Sequence, residues 1–396
     1  MIELAPYNQC TGCSACSSVC PKSCIAMREE KDGSLFPHID HDICIECHSC
    51  QRACPILTPP ALSTPIKAYA AWSNDKKERT TSASGGIAYE IYREALKSHY
   101  IAVGAAQGSD FKVRLKTADK ENEIVPFKNS KYVFSYSESV FPEIKEKLKN
   151  GANVVIIALP CQIAAFKKVF HRYEDQLLLV DVVCHGTTPH DFLMQHIRAV
   201  ENKTGEHAVR MSFRDPDTYT YTFTFTLYNS KGIRFYAQRT KDGDTYQYGY
   251  HRNLSYRENC YHCHFAKRER VSDITLNDYK QIGRLAPSRF DSVHNLSSII
   301  VNTQKGQRFV DKMISQNSID AEERPLEEPL MADTQLQHPS IKKPARFDFE
   351  KYINMYDNDF EKAMSKVISK DVRRQKWAKV LSYPGRTYRK IKKIIG

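Results

Sequence analysis

The chain has 396 residues, 41% apolar and 26% charged, enough for one small and one large domain with a sizeable core. No apolar run approaches the roughly 20 residues that cross a bilayer, and no charged–apolar–small leader opens the chain, so a soluble, cytoplasmic protein is expected. The net charge of +12 is lopsided: residues 361–396 hold twelve Lys or Arg against Glu361 and Asp371, a balance of +10 that leaves +2 for the rest and argues against a nucleic-acid groove in the folded body.

Two cysteine runs open the chain. Cys10, Cys13, Cys16 and Cys20 precede Pro21; Cys44, Cys47, Cys50 and Cys54 precede Pro55. Each reads C-x2-C-x2-C-x3-C-P, the spacing by which bacterial ferredoxins hold cubane iron–sulfur clusters, and the doubling is what a two-cluster domain requires. Three closely spaced thiolates suit one cluster, and the proline turns the fourth toward the other. The predicted pairing therefore crosses over: Cys10, Cys13, Cys16 and Cys54 hold one 4Fe–4S cluster, and Cys20, Cys44, Cys47 and Cys50 the other. Zinc would favour C-x2-C pairs separated by a loop, and a cytoplasmic chain of this size needs no disulfide framework. Eight thiolates suffice, so His38, His41 and His48 read as surface or outer groups, and Cys24 is left over. A ferredoxin domain over residues 1–57 and a proline-rich linker over residues 58–65 follow from this reading.

Beyond the linker the pattern becomes α/β. Lys67 to Trp72 reads as a strand and Gly86 to Tyr100 as an amphipathic helix opened by Ser82-Ala83-Ser84-Gly85-Gly86. Asn153 to Leu159 and Leu177 to Val183 are apolar runs of the length of buried strands. Tyr219 to Leu227 alternates aromatics with threonines and predicts a half-exposed antiparallel strand. A mixed-sheet α/β (α+β) domain is expected over residues 66–340, with a basic helical tail over residues 341–396.

Four further cysteines fall in this domain. Cys161 and Cys184 each follow one of the two buried strands, and ligand sites in open α/β sheets gather at such carboxyl ends. Cys260 and Cys263 add a C-x2-C pair. The spacing alone is compatible with a third cubane cluster, with zinc helped by His262 or His264, or with buried thiols that hold nothing.

Several stretches together carry a family resemblance: Ser84-Gly85-Gly86, Ser130-Lys131-Tyr132, Pro160-Cys161-Gln162, Asp181 through Gly186, Phe213-Arg214-Asp215, Cys260-Tyr261-His262-Cys263, Ser272-Asp273-Ile274-Thr275 with Asp278, and Ser298 through Gly306. Over roughly residues 5–310 the chain resembles the family of coenzyme F-420 hydrogenase/dehydrogenase beta subunits. The resemblance implies an iron–sulfur flavoprotein oxidoreductase. Its implied parts are FAD or FMN beside a third 4Fe–4S cluster on Cys161, Cys184, Cys260 and Cys263, a ferredoxin-like redox partner, and an unidentified substrate. The chain departs from the family at Ala158-Leu159 and at Asn277 through Gln281, where glycines that let backbone approach a cofactor are missing. Members of this shape look like those encoded among polysaccharide-synthesis genes, which implies a substrate other than the deazaflavin. An electron-transfer module that serves a partner enzyme and binds no substrate is the alternative.

Within this frame, Ser84, Gly85 and Gly86 open a helix whose free N–H groups suit a phosphate, or else form an ordinary cap with permissive glycines. Lys131 offers a cation to a pyrophosphate or to the flavin edge. His185, next to Cys184, is the best-placed group for proton delivery, or is a histidine satisfied by hydrogen bonds beside a cluster. No G-x-G-x-x-G follows a strand, so no nicotinamide fingerprint is present. The apolar–basic residues from Val367 onward suit a solvated tail, or a contact with an anionic membrane surface or acidic partner.

Overall fold

The computed structural model describes residues 2–290 and 294–374. Its small N-terminal domain pairs Ile25–Glu29 with Leu35–Ile39 in an antiparallel hairpin and adds two short helices, Ala15–Ser18 and Ser49–Ala53. The doubled cysteine run is visible in the backbone. Gly12 and Ser14 in the first run, and Glu46 and His48 at the equivalent places in the second, all adopt left-handed conformations. Such residues turn successive amides inward, which makes a concavity suited to anionic sulfur.

The large domain is built on a nine-stranded mixed sheet. Its centre is parallel: Ile274–Asp278, Leu177–Val182, Val154–Ala158 and Ile101–Gln107 lie side by side, and Ala158 stands opposite Asp181. The two apolar runs therefore end at the same edge, and that edge receives Cys161 and Cys184. Antiparallel strands flank the centre, with Ser297–Val301, Lys67–Ser73 and Ile319–Arg324 on one side and Val113–Ala118 on the other. Helices Ile87–Lys97 and Gln304–Ser315 cover one face. Helix Pro160–Val169 covers the other and packs against the ferredoxin helices, so that Cys13, Cys54, Cys161 and Cys263 share one apolar cluster. Among the described residues no helix is long and apolar enough to cross a membrane.

Two expectations are corrected. The alternating Tyr219–Leu227 stretch is a strand only at Phe225–Tyr228, while Thr220–Thr222 is a 3-10 turn between Tyr219 and Phe223, both with positive φ. The cause is tertiary. Arg214 Nε donates to the Thr220 carbonyl at 2.5 Å and its guanidinium lies 4.0 Å over the Phe223 ring, which bends the segment around it.

The second correction concerns residues 341–374, expected to begin a basic tail. They form helices at Pro344–Met355 and 360–374 that are packed into the body. Phe349, Ile353, Phe360, Met364 and Val367 recur at helical spacing and join the core around Phe192, Phe213, Phe225 and Tyr246, and Lys351, Lys362, Lys366, Arg373 and Arg374 are exposed. His196 clasps this region: Nδ1 is 2.8 Å from Glu361 and Nε2 is 3.1 Å from Asp244. The apolar–basic segment from Trp377 onward lies outside the described residues. The linker is held too, since Ser63 and Arg270 exchange both backbone hydrogen bonds.

Candidate functional site

The structure gathers the N-terminal cysteines in the crossed sets. Cys54 lies close enough to Cys10, Cys13 and Cys16 to raise their thiols, and Cys47 and Cys20 act in the same way on Cys50. Cys20, Cys44, Cys47 and Cys50 line one apolar cavity, with Cys24 as a fifth thiol whose Sγ is 3.3 Å from that of Cys20. Burial pushes Cys13 up to about 12, while the Ala15 amide and the Thr11 hydroxyl pull it down. Amides of Gly12 and Ser17 act on Cys10 and Cys16 in the same way. Four thiols in an apolar wall, three of them met by backbone N–H donors, match the needs of thiolates bound to a cluster.

The later cysteines also converge. Cys161 sits in the first turn of Pro160–Val169, Cys184 lies two residues past Leu177–Val182, and Cys260 and Cys263 close a 3-10 turn; all four line one small cavity. Burial raises the thiols of Cys161, Cys184 and Cys263, and the nearby sulfur of Cys260 adds to each shift. The Thr187 amide donates to Cys260 Sγ at 3.4 Å, and amides of Gly186, Phe265 and Ala266 reach Cys184 and Cys263. Neither His262 nor His264 lines this cavity; His262 Nε2 turns to Glu258 at 3.3 Å. Among the described residues no three or more His, Cys, Asp or Glu side chains close on a point that holds a single ion. Four thiols facing one cavity are a donor set that a cubane can take at its four corners.

A cavity of about 490 Å³ adjoins this set, and Leu159 and Cys184 through Thr187 line both spaces. The larger cavity runs from Cys184 to the start of helix Ile87–Lys97, where Ser84, Gly86 and the first helical turn form one end and Lys128 through Lys131 another wall. The first-turn N–H groups have no intrahelical partner. Gly85, expected among the ligand contacts, does not line the cavity. Its amide is taken by Ser297 Oγ at 2.9 Å, and a Cβ there would fall 2.5 Å from the Ala71 carbonyl, so the glycine is demanded by strand packing.

Lys131 Nζ donates to the Lys128 and Pro126 carbonyls at 2.7 and 2.9 Å, and burial pushes its amine down to about 7. His185 lines the cavity with Nε2 3.4 Å from Asp333 Oδ2. Asp333 also accepts from Lys280 at 2.5 Å and Asn277 at 3.0 Å. Burial works against the charge on Asp333, but hydrogen bonds and charge from His185 and Lys280 hold its carboxyl below the usual range. Asn277 and Lys280, which replace glycine-bearing sequence, thus build the polar corner around His185.

Four contributors carried no assigned role in the sequence. Asp333 lies outside every motif. Arg214, from the Phe213-Arg214-Asp215 triplet, is buried and donates to Tyr132 Oη at 3.1 Å, to Asp278 at 3.2 Å and to the Ala83 carbonyl, tying three walls together. His251 lines the cavity with Nε2 buried and unpartnered; burial, with Arg214 and His185 nearby, pushes its imidazole down to about 4. Asn129 Oδ1, also in the wall, is buried and unpartnered. With Tyr132 stacked on Tyr250 at 4.5 Å, the cavity offers aromatic walls, orphaned polar atoms and a cationic end, a set that fits a flavin.

Residues 151–326 match the family described as the C terminus of the coenzyme F420 hydrogenase/dehydrogenase beta subunit, and residues 9–56 match a 4Fe-4S dicluster domain. The chain is 21% identical over 335 residues to an F(420)H(2) dehydrogenase subunit, the one designated F, of Methanosarcina mazei, covering 82% of this chain and 87% of that one. A chain of the F420-reducing NiFe hydrogenase complex from Methanosarcina barkeri, solved with xenon, aligns at a TM-score of 0.44 and 17% identity, covering 80% of this chain and 95% of that one. The chain thus joins a 4Fe–4S dicluster domain to a region similar to the C terminus of coenzyme F420 hydrogenase/dehydrogenase beta subunits, which relates it to iron–sulfur electron-transfer oxidoreductases.

Proposed function

We propose that the chain is an iron–sulfur flavoprotein oxidoreductase that takes electrons from a ferredoxin-like protein and delivers them to a substrate in the 490 Å³ cavity. The observation that carries this reading is the shared wall, Cys184 through Thr187, between the third thiol set and the cavity. Cys20, Cys44, Cys47 and Cys50 would hold the outermost cluster, where Ile43 and Ile45 are 49% and 57% exposed beside Cys44. Cys10, Cys13, Cys16 and Cys54 would hold the next, against helix Pro160–Val169. Cys161 lies near Cys13 and, with Cys184, Cys260 and Cys263, would hold the third. The thiol sets thus run in order from the surface to the cavity.

Clusters supply one electron each, and a flavin converts single electrons into a hydride equivalent. The residues do the rest. Ser84, Gly86 and Lys131 would hold the phosphate end of the flavin, and Tyr132 and Tyr250 give the cavity an apolar wall that excludes water. His185, oriented through Nε2 by Asp333, holds a proton at the cavity's cluster end and gives or takes it at Nδ1 as the substrate is reduced or oxidised. The expected setting in polysaccharide biosynthesis rests on the resemblance, not on a residue of this cavity.

Reduction of the anaerobic protein by a low-potential ferredoxin tests the route. Bleaching of the flavin absorbance in the native chain and its loss in Cys184→Ser, with flavin still bound, is the expected result. Bleaching of C184S at the native rate would overturn it. A native chain that retains no flavin would favour the electron-transfer module without a substrate.

A further inference from the structure

Among the described residues, Arg257 is a buried cation without a carboxylate partner. Only 4% of it is exposed, and the groups it meets are neutral: Nη1 donates to the Thr11 carbonyl at 2.9 Å, Nη2 lies 3.5 Å from the Leu35 carbonyl, and the guanidinium sits 4.3 Å over the Phe134 ring. Its Nε is buried with no partner. Arg270, which lines the same thiol cavity, is matched instead by Asp181 at 2.9 Å. Burying a charge is costly unless an opposite charge is close, so the seat of Arg257 calls for an anion.

The surroundings say where that anion belongs. Arg257 lines the cavity of Cys161, Cys184, Cys260 and Cys263, and it also lines a second recess that contains Cys10. The chain makes room for it at Gly12, between Cys10 and Cys13: φ there is +65°, and a Cβ would fall 2.9 Å from Arg257 Nη2 and 2.8 Å from the Leu35 carbonyl. A cubane on four thiolates carries net negative charge, and reduction adds one more electron to it. A fixed cation in a water-poor site favours the more negative state.

We propose that Arg257 is the shared counter-ion of the first ferredoxin cluster and the third cluster, a positioning residue that raises the reduction potentials of both. This rests on the three-cluster reading above. The second ferredoxin cluster, on Cys20, Cys44, Cys47 and Cys50, lies outside its reach and is the internal control.

The test is an EPR-monitored redox titration of the anaerobically purified full chain, native, Arg257→Gln and Arg257→Lys, with the second cluster's signal assigned from a Cys47→Ser variant. R257Q keeps an N–H donor for Thr11 but loses the charge; R257K keeps the charge but loses the fork. The expected result is that R257Q shifts the midpoint potentials of the first and third clusters negative and leaves the second unchanged, while R257K stays near native. If R257Q fails to retain iron and R257K retains it, the charge requirement is supported in another form. Unchanged potentials in R257Q, an equal shift of all three clusters, or identical behaviour of R257Q and R257K would overturn the proposal. A native chain lacking the third cluster would defeat the proposed function, yet the first cluster's shift would still decide the role of Arg257.

Discussion

Arg270 Nη2 meets Asp181 Oδ2 at 2.9 Å, with both side chains almost fully buried beside the third thiol set. Asp181 belongs to the strand that leads to Cys184, and Arg270 also donates to the Phe265 and Lys267 carbonyls at 3.0 and 3.1 Å, just past Cys263. The pair therefore fixes the C-x2-C loop against the strand that carries the other ligand. Removing one partner leaves the other charge buried alone, which costs about 3–5 kcal/mol. Arg270→Met is expected to lose that much stability in denaturant and about four irons per chain, while the ferredoxin clusters stay loaded. Iron analysis with EPR checks it; full iron content in a stable R270M would contradict the assignment.

The Asp333 contact to His185 gives a kinetic prediction. His185→Gln should slow turnover by about 100-fold or more, the range for loss of a general acid, with flavin and iron content unchanged. Asp333→Asn should slow it by about 10-fold and move the pH profile, because a carboxylate that orients the imidazole and stabilises its cation is gone. An unaltered pH profile in D333N would show the contact to be structural only.

The proposed contact of Lys131 with the flavin phosphate predicts that flavin affinity depends on pH. With its amine pushed down to about 7, Lys131 is charged below that pH and increasingly neutral above it. A phosphate favours the charged form, so flavin binding should weaken by about 10-fold between pH 6 and 8. Lys131→Met should bind more weakly at pH 6 and show no such slope. Fluorescence titration of the apoflavin protein measures both.

His196 links stability to pH in the alkaline direction. Burial opposes its charge, but Asp244 and Glu361 hold the imidazolium up to about 10. The folded pKa is raised above the ordinary value near 6.5, so the contribution is fully present below about 6.5 and is lost as pH rises toward 10. It amounts to a few kcal/mol at most. Urea denaturation of the native chain should show stability falling from pH 7 to 10, and His196→Gln should flatten that fall while loosening the helix at 360–374.

The parts legible in the sequence are those set by local spacing. The cysteine runs announce the ferredoxin domain because cluster ligation dictates the intervals, and the runs Asn153–Leu159 and Leu177–Val183 announce central strands because both faces of a covered sheet are apolar. Tyr219–Leu227 misled because Arg214, distant in space from any local rule, draws in Thr220 and Phe223. Gly85 looked like a ligand contact, but its need for a small residue comes from Ala71 and Ser297 across the sheet. Asp333 reaches His185 through tertiary packing of a segment with no motif, and the basic composition of residues 341–374 hid an apolar stripe that belongs to the core.

The central claim, three clusters leading to a flavin, is tested most directly by cofactor analysis of the anaerobically purified chain: iron, acid-labile sulfide, zinc and released flavin per chain. About twelve irons, a matching amount of sulfide and one flavin are predicted. About eight irons with no flavin, with or without one zinc, would contradict it.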